Sequence, residues 1–319
     1  MIIDSEQDIT TAVLAEAGRT PDPRLRRILT LAVKHLHAFV REARLSELEF
    51  QQICRAVAAT GQATNASHNE VVLAAGSLGV SALVCLLNNV PPGHEGPGTT
   101  ANLMGPFWRM HSPPTPNGGS IVRSPTPGEP IFVEAFVVDA EGAPVAGAEV
   151  DVWHASPEGF YENQDPGQAD MNLRGKFTSD DAGRIAFRSV KPVGYPVPVN
   201  GPVGALLRAQ GRHNMRPAHL HFLITKPGFK AQFSQVYSAD DPNIEDDVQF
   251  GVTRALVARY ERHVPGGAAA APAADVGGPW YTLKQRFVLQ PGEPRLPPPP
   301  VVGKAGGERP TLVRLRRRG

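Results

Sequence analysis

The apolar positions of this chain change their period once. Up to about residue 90 they recur every three or four residues. Leu25, Ile28, Leu29, Leu31, Ala32, Leu36 and Val40 form one such stripe, the pattern of an amphipathic helix. Pro21 and Pro23 mark its start, because the first helical turn has no use for the amide that proline lacks. A second helical stretch runs through Leu45, Leu48, Phe50, Ile53, Cys54 and Val57. A third begins near Ser67, with Glu70 in capping-box spacing, and continues through Val71, Leu73, Leu78, Val80, Leu83, Val84 and Leu86.

From Pro91 to Pro130, proline and glycine interrupt the pattern and few regular elements are expected. Beyond Ile131 the period falls to two. Ile131, Val133, Ala135 and Val137 alternate along one strand, and the turn cluster Asp139 to Pro144 separates it from a second strand, Ala148 to Trp153. Further strands are expected at 184–190, 219–225, 232–237 and 280–289. Many short strands joined by Gly/Pro turns predict a mainly β chain: a β-sandwich domain over 101–290 behind a helical domain over 1–100. Residues 266–278, rich in Ala, Gly and Pro, read as a loop. Residues 291–319 hold Pro297 to Pro300 and end Arg314-Leu315-Arg316-Arg317-Arg318-Gly319. This stretch reads as a disordered tail, with a nucleic-acid or membrane contact as the lesser alternative.

Composition narrows the function classes. The formal net charge is +1 over 319 residues, so no global field draws the chain to nucleic acid. The two cysteines, Cys54 and Cys85, fall in apolar helical patterns and read as buried structural thiols. No apolar run is long enough for a membrane helix, and the N-terminus has neither a basic start nor an apolar core. A soluble cytoplasmic protein with no membrane span is expected.

The chemistry-bearing feature is Arg216-Pro217-Ala218-His219-Leu220-His221-Phe222, with Tyr161 and Tyr195 upstream. Strand side chains alternate faces, so His219 and His221 point the same way and can share a transition metal. His-x-His alone also serves zinc, copper and ordinary strands, and a tyrosine near a strand end is more often packing than ligand. Phenolate donors would suit a hard ion such as Fe(III). A tyrosine with an ordinary pKa of about 10 ionises only beside strong positive charge. Arg216 could stabilise anionic charge beside such a pair. His154, beside Trp153, reads as a packing histidine.

Taken together, these residues resemble the intradiol ring-cleavage dioxygenases. The resemblance covers most of the chain, through Leu103-Met104-Gly105-Pro106-Phe107-Trp108, Asp151-Val152-Trp153-His154-Ala155, Gly159-Phe160-Tyr161, Gly194-Tyr195-Pro196-Val197-Pro198, Gly201-Pro202-Val203-Gly204 and Gly211-Arg212-His213, with the His-x-His segment after them. It implies a non-haem Fe(III) held by Tyr161, Tyr195, His219 and His221. It further implies that Tyr195 leaves the metal and takes a substrate proton, that Arg216 and Gln235 support the anionic ring, and that oxygen is inserted between two hydroxylated carbons to give a muconate-type diacid. A homodimer through the N-terminal helices is implied, with a lipid-like molecule at the interface. The helical extension argues against the protocatechuate branch.

The pocket positions carried over are Leu73, Gly76, Leu103, Pro106, Phe107, Val197, Pro198, Val248 and Gln249. Gly76 departs from the hydroxyquinol enzymes, which tend to have an acid there, and Gln249 is polar where small or apolar residues are usual. Hydroxyquinol is the preferred substrate, with catechol or chlorocatechol as the alternative. Two readings of other classes stand beside this one: a non-catalytic transthyretin-like module that binds an aromatic ligand, and a zinc or copper hydrolase or oxidase using the histidines alone.

Overall fold

The structure is a computed structural model that describes residues 2–90 and 99–317. The chain divides into two compact units, Met1–Ala58 and Ala59–Gly319. In the first, α1 (Glu6–Gly18) packs on α2 (Pro23–Ala43), and α3 begins at Glu47. The Asp22 side chain caps α2, and Pro23 occupies its first turn, as a helix start favours. Arg41 of α2 donates to the Glu6 carbonyl at 2.6 Å and joins the two helices. The apolar stripe of α2 is open: Leu36 and Phe39 are more than half exposed.

Two expectations for the helices change. The third predicted helix is two, α4 (Glu70–Ser77) and α5 (Val80–Asn89), bent by 75°. Gly79 makes the break with φ +73, a conformation that costs glycine little. The cap of α4 is Asn69, whose side chain accepts from Val72 N, rather than Ser67. Cys54 is exposed and Cys85 only partly buried, because the apolar stripes on which they were placed face outward. Among the described residues, no single helix is long and apolar enough to cross a membrane.

The second unit is built on two sheets. In chain order its strands are β1 (Pro130–Val138), β2 (Glu149–Trp153), β3 (Arg174–Thr178), β4 (Arg184–Val190), β5 (Tyr195–Pro196), β6 (Met215–Arg216), β7 (His219–Thr225), β8 (Gln232–Ser238), β9 (Val257–Ala258), β10 (Glu261–His263) and β11 (Trp280–Val288), with α6 (Pro202–Ala209) between β5 and β6. One sheet has the order β10-β11-β1-β4 and the other β3-β2-β7-β8-β9, while β5 and β6 form a separate ribbon. Ile131, Val133, Ala135 and Val137 of β1 meet Val150, Val152, Leu220, Phe222 and Ile224 in one buried core. The period-two pattern predicted these long strands. It missed β3, whose Arg174-Gly175-Lys176-Phe177-Thr178 does not alternate apolar with polar residues, and the short β5, β6, β9 and β10, which carry too few residues to show alternation.

The disordered tail is a correction. Residues 301–317 lie on the second unit. Val301 is buried, its neighbour Val302 donates to the Ala66 carbonyl at 2.9 Å, and Ala305 donates to the Asn163 carbonyl at 2.7 Å. Composition predicted disorder, but the backbone finds fixed partners that offset the cost of ordering it.

Gly204 in α6 faces the backbone of Val199, where a Cβ would overlap the Val199 carbonyl. We expect Gly204→Ala to lower stability by about 3 kcal/mol, as overpacking against rigid backbone does, read as a lower midpoint in thermal melting.

Candidate metal centre

β7 sits between β2 and β8, and its alternation divides two tasks. Leu220, Phe222 and Ile224 enter the core, while His219 and His221 face the other side. The register places Tyr237 opposite His219, and both Gln235 and Trp153 opposite His221. Cross-strand neighbours on one face touch, so pairing alone gathers these side chains. The β5–β6 ribbon sets Tyr195 opposite Arg216. Tyr161 comes from a loop stiffened on both sides: its amide donates to Gln164 Oε1 at 3.0 Å, and Glu162 accepts from Arg109 and Arg174, both at 2.7 Å.

The donor atoms converge. Tyr161 Oη lies 3.0 Å from His221 Nε2, 3.0 Å from Tyr195 Oη and 3.4 Å from His219 Nε2. The two Nε2 atoms are 3.1 Å apart. His219 Nδ1 lies 2.7 Å from the Pro217 carbonyl, which only accepts, so the proton is on Nδ1 and the Nε2 lone pair faces the centre. Among the described residues, His221 Nδ1 has no hydrogen-bond partner. That ring is held by stacking on Trp153, at 4.7 Å and 8°. Gly105, with φ +74, approaches its other side, where a Cβ would stand 3.0 Å from His221 Cε1.

The electrostatics leave a set of neutral donors. Burial, reinforced by Arg216, pushes His219 down to about 3. Burial, then His219, holds His221 well below the usual range. Burial raises Tyr161 and Tyr195, with Arg216 opposing it at Tyr195. Two imidazole nitrogens and two phenol oxygens this close are a donor set that a cation would draw together by taking the lone pairs and ionising the phenols. The donor set fits a hard, highly charged metal. Among the described residues, no group of three or more His, Cys, Asp or Glu side chains is placed for a metal, and the tyrosine oxygens are the further donors beside the two histidines.

Asp247 was not anticipated. Buried Arg216 donates to it twice, Nε to Oδ1 at 3.0 Å and Nη2 to Oδ2 at 2.9 Å. Burial opposes the Asp247 charge and Arg216 outweighs it, holding the carboxyl below its ordinary range. Nη2 also donates to Gln235 Oε1 at 2.8 Å and Tyr237 Oη at 3.0 Å, while Nη1 lies 3.3 Å from His219 Nε2. In sequence, Asp247 is one acid among Asp240, Asp241, Glu245 and Asp246, and nothing marks it out.

A cavity of about 650 Å³ adjoins the centre through Gly105, and Gly76, Leu103, Pro106 and Gln249 also line it. Phe107 packs on the Tyr161 ring, 4.7 Å between centroids. Leu73, Val197 and Val248 share one buried apolar cluster. Pro198 lines separate, smaller cavities. Gln249 Nε2 donates to Ser77 Oγ at 2.7 Å, and a Cβ on Gly76 would overlap Gln249 Oε1. The two departures from the expected pattern are therefore one feature.

Residues 105–275 match the family model described as "Dioxygenase", and residues 22–96 match "Catechol dioxygenase N terminus". The hydroxyquinol 1,2-dioxygenase of Rhizobium sp. (strain MTP-10005) is 38% identical over 285 residues, 89% of this chain and 95% of that protein. The chain belongs to the intradiol ring-cleavage dioxygenases. That family uses non-haem Fe(III). The 6-chlorohydroxyquinol 1,2-dioxygenase of Cupriavidus pinatubonensis is also 38% identical, over 90% of this dioxygenase and 98% of that protein. Among solved structures, hydroxyquinol 1,2-dioxygenase from Pseudomonas putida DLL-E4 superposes with a TM-score of 0.78 at 35% identity, covering 90% of this chain and 99% of that one. Catechol 1,2-dioxygenase from Pseudomonas arvilla C-1 gives 0.75 at 28%, covering 96% and 97%. A module without catalysis is not the reading these relatives support.

Burial also pushes His154 down to about 4, against an ordinary 6.5. As pH falls, the unfolded dioxygenase protonates His154 and His219 before the folded one does, so stability is full above 6.5 and drains below it. Denaturant melts of metal-free protein should lose at least about 3 kcal/mol between about pH 7.5 and about pH 5. A stability independent of pH over that range would refute neutral buried imidazoles.

Proposed function

We propose that this dioxygenase cleaves hydroxyquinol (1,2,4-trihydroxybenzene) between its adjacent hydroxylated carbons, with Fe(III) held by Tyr161, Tyr195, His219 and His221. The convergence of those four donor groups carries the reading. Ferric iron, when bound, supplies the positive charge that makes phenol ligands and diol hydroxyls acidic near neutral pH. Both atoms of O2 end in the product, one in each new carboxylate of a hydroxymuconate, a tautomer of maleylacetate.

The chain's own residues have separable tasks. Tyr195 sits on the two-residue strand β5, opposite Arg216 on β6, and its Oη would accept a substrate proton there. Arg216 presents fixed positive charge, oriented by Asp247, to oxygen atoms that become anionic. Gln235 Oε1 accepts from Arg216 and from Tyr237, at 2.8 and 2.7 Å, and its Nε2 donates to the Leu103 carbonyl at 2.8 Å. It thus ties the guanidinium to the cavity wall. Leu73, Phe107, Val197 and Val248 keep water from the ring.

Hydroxyquinol is favoured over catechol and chlorocatechol by Gln249. Gly76 leaves room for its carboxamide, Ser77 takes up Nε2, and, with Gln249 lining the cavity, Oε1 is left as the acceptor for a substrate. A third hydroxyl can donate to that acceptor, and a ring hydrogen or chlorine cannot. The exposed apolar face of α2 is assigned to a second copy of this chain, since the N-terminal family model covers those helices.

Oxygen uptake with hydroxyquinol, catechol and 4-chlorocatechol, with product spectra, tests the substrate. Protein loaded with ferric iron should show a tyrosinate charge-transfer colour. Gln249→Val and Gly76→Ala should each lower kcat/KM for hydroxyquinol about tenfold, near 1.4 kcal/mol, and leave catechol within about twofold. Equal losses on both substrates would remove Gln249 from substrate choice. In sedimentation the unaltered protein should be a dimer, and a Leu36→Asp/Phe39→Asp variant a monomer with its β-sandwich intact.

A further inference from the structure

The C-terminal segment lies beyond residues 105–275, which the dioxygenase model matches, and makes contacts that the proposed chemistry does not use. Arg309 spans the loop of Tyr161. Its guanidinium donates to both oxygens of Glu158, at 3.1 and 2.8 Å, and stands 3.1 Å from Asp165. It also lies over the Phe160 ring, 4.8 Å from the centroid. Glu158 precedes Tyr161 and Asp165 follows it, so one side chain closes both ends of the loop.

Leu312 then fills the space that Gly159 leaves. A Cβ on Gly159 would stand 2.9 Å from Leu312 Cδ1 and 3.5 Å from the Tyr195 Cβ. Beyond it, buried Asn214 serves both segments. Its Nδ2 donates to the carbonyls of Val197 and Val313 at 2.7 and 2.9 Å, and its Oδ1 accepts from Leu315 N at 2.9 Å. Val197 lies two residues after Tyr195.

We infer that residues 309–315 form a strap that positions both tyrosines, with Arg309 and Leu312 as its positioning residues. The histidines do not need it, because β7 is hydrogen-bonded on both edges. Tyr161 comes from a loop and Tyr195 from a two-residue strand, so neither has a sheet's rigidity. A ligand set is only as well placed as the elements that carry it. The strap supplies the tyrosine half with a second row of anchors, and it bridges the two tyrosine-bearing segments to each other. This inference rests on Tyr161 and Tyr195 being ligands.

The test compares the unaltered protein with Arg309→Gln in the full chain and with a chain ending at Glu308. In metal-free protein, hydrogen exchange across residues 158–165 should quicken in Arg309→Gln by up to about fivefold, the equivalent of one partly exposed ion pair. The shortened chain should also quicken at the Val197 amide, with β7 unchanged. After loading with ferric iron, the visible band of the shortened chain should shift from that of the unaltered protein. Unchanged exchange in both segments in both variants would overturn the strap. If the shortened chain loses protection in β7 as well, Arg309→Gln decides alone. An unaltered protein that stays colourless with ferric iron would overturn the ligand assignment instead, and the exchange result would still stand.

Discussion

The alternation of β7 is the constraint on which both fold and site depend. One face contributes Leu220, Phe222 and Ile224 to the core, and the other contributes His219 and His221. A slip of one residue would place imidazoles in the sandwich and leucine at the candidate metal centre. Because β7 pairs on both edges, the same register that holds the core also brings Gln235, Tyr237 and Trp153 to the histidines. Core stability and the placement of the two imidazoles are therefore set by one strand.

Around that strand the charges are few, buried and paired. Arg216 and Asp247 face each other with both nearly excluded from solvent. Separating such a pair is costly because either ion left alone stays desolvated. The pairing thus matters less for net stability than for direction, since it fixes a positive charge beside His219. Glu162, between Arg109 and Arg174, plays the same part for the Tyr161 loop. Stacking does for His221 what a hydrogen bond does for His219, so the two imidazoles are oriented by different forces.

Much of this was legible in the sequence, and the failures have physical causes. The long strands were readable because each carries a full period-two pattern, and His-x-His was readable because two residues on one strand share a face. Asp247 was not, since an acid in an acidic run looks solvated until the fold buries it against Arg216. The break at Gly79 was hidden because apolar spacing continues across it. The tail misled because proline-rich composition describes the free chain, whereas Ala66, Glu158, Asn163 and Asn214 are what it meets.

Gly76 and Gln249 show the limit most sharply. Read singly, each is an odd residue at a pocket position, one too small and one too polar. In space each explains the other, because the carboxamide occupies the volume that a Cβ at Gly76 would need. A pocket wall of fixed backbone can move a polar group from one strand or helix to another only if the donor position gives up volume. The glycine is therefore the condition for the glutamine. Changing either should disturb the same packing of the carboxamide against α4, and restoring volume at Gly76 without shortening Gln249 should be worse than changing both.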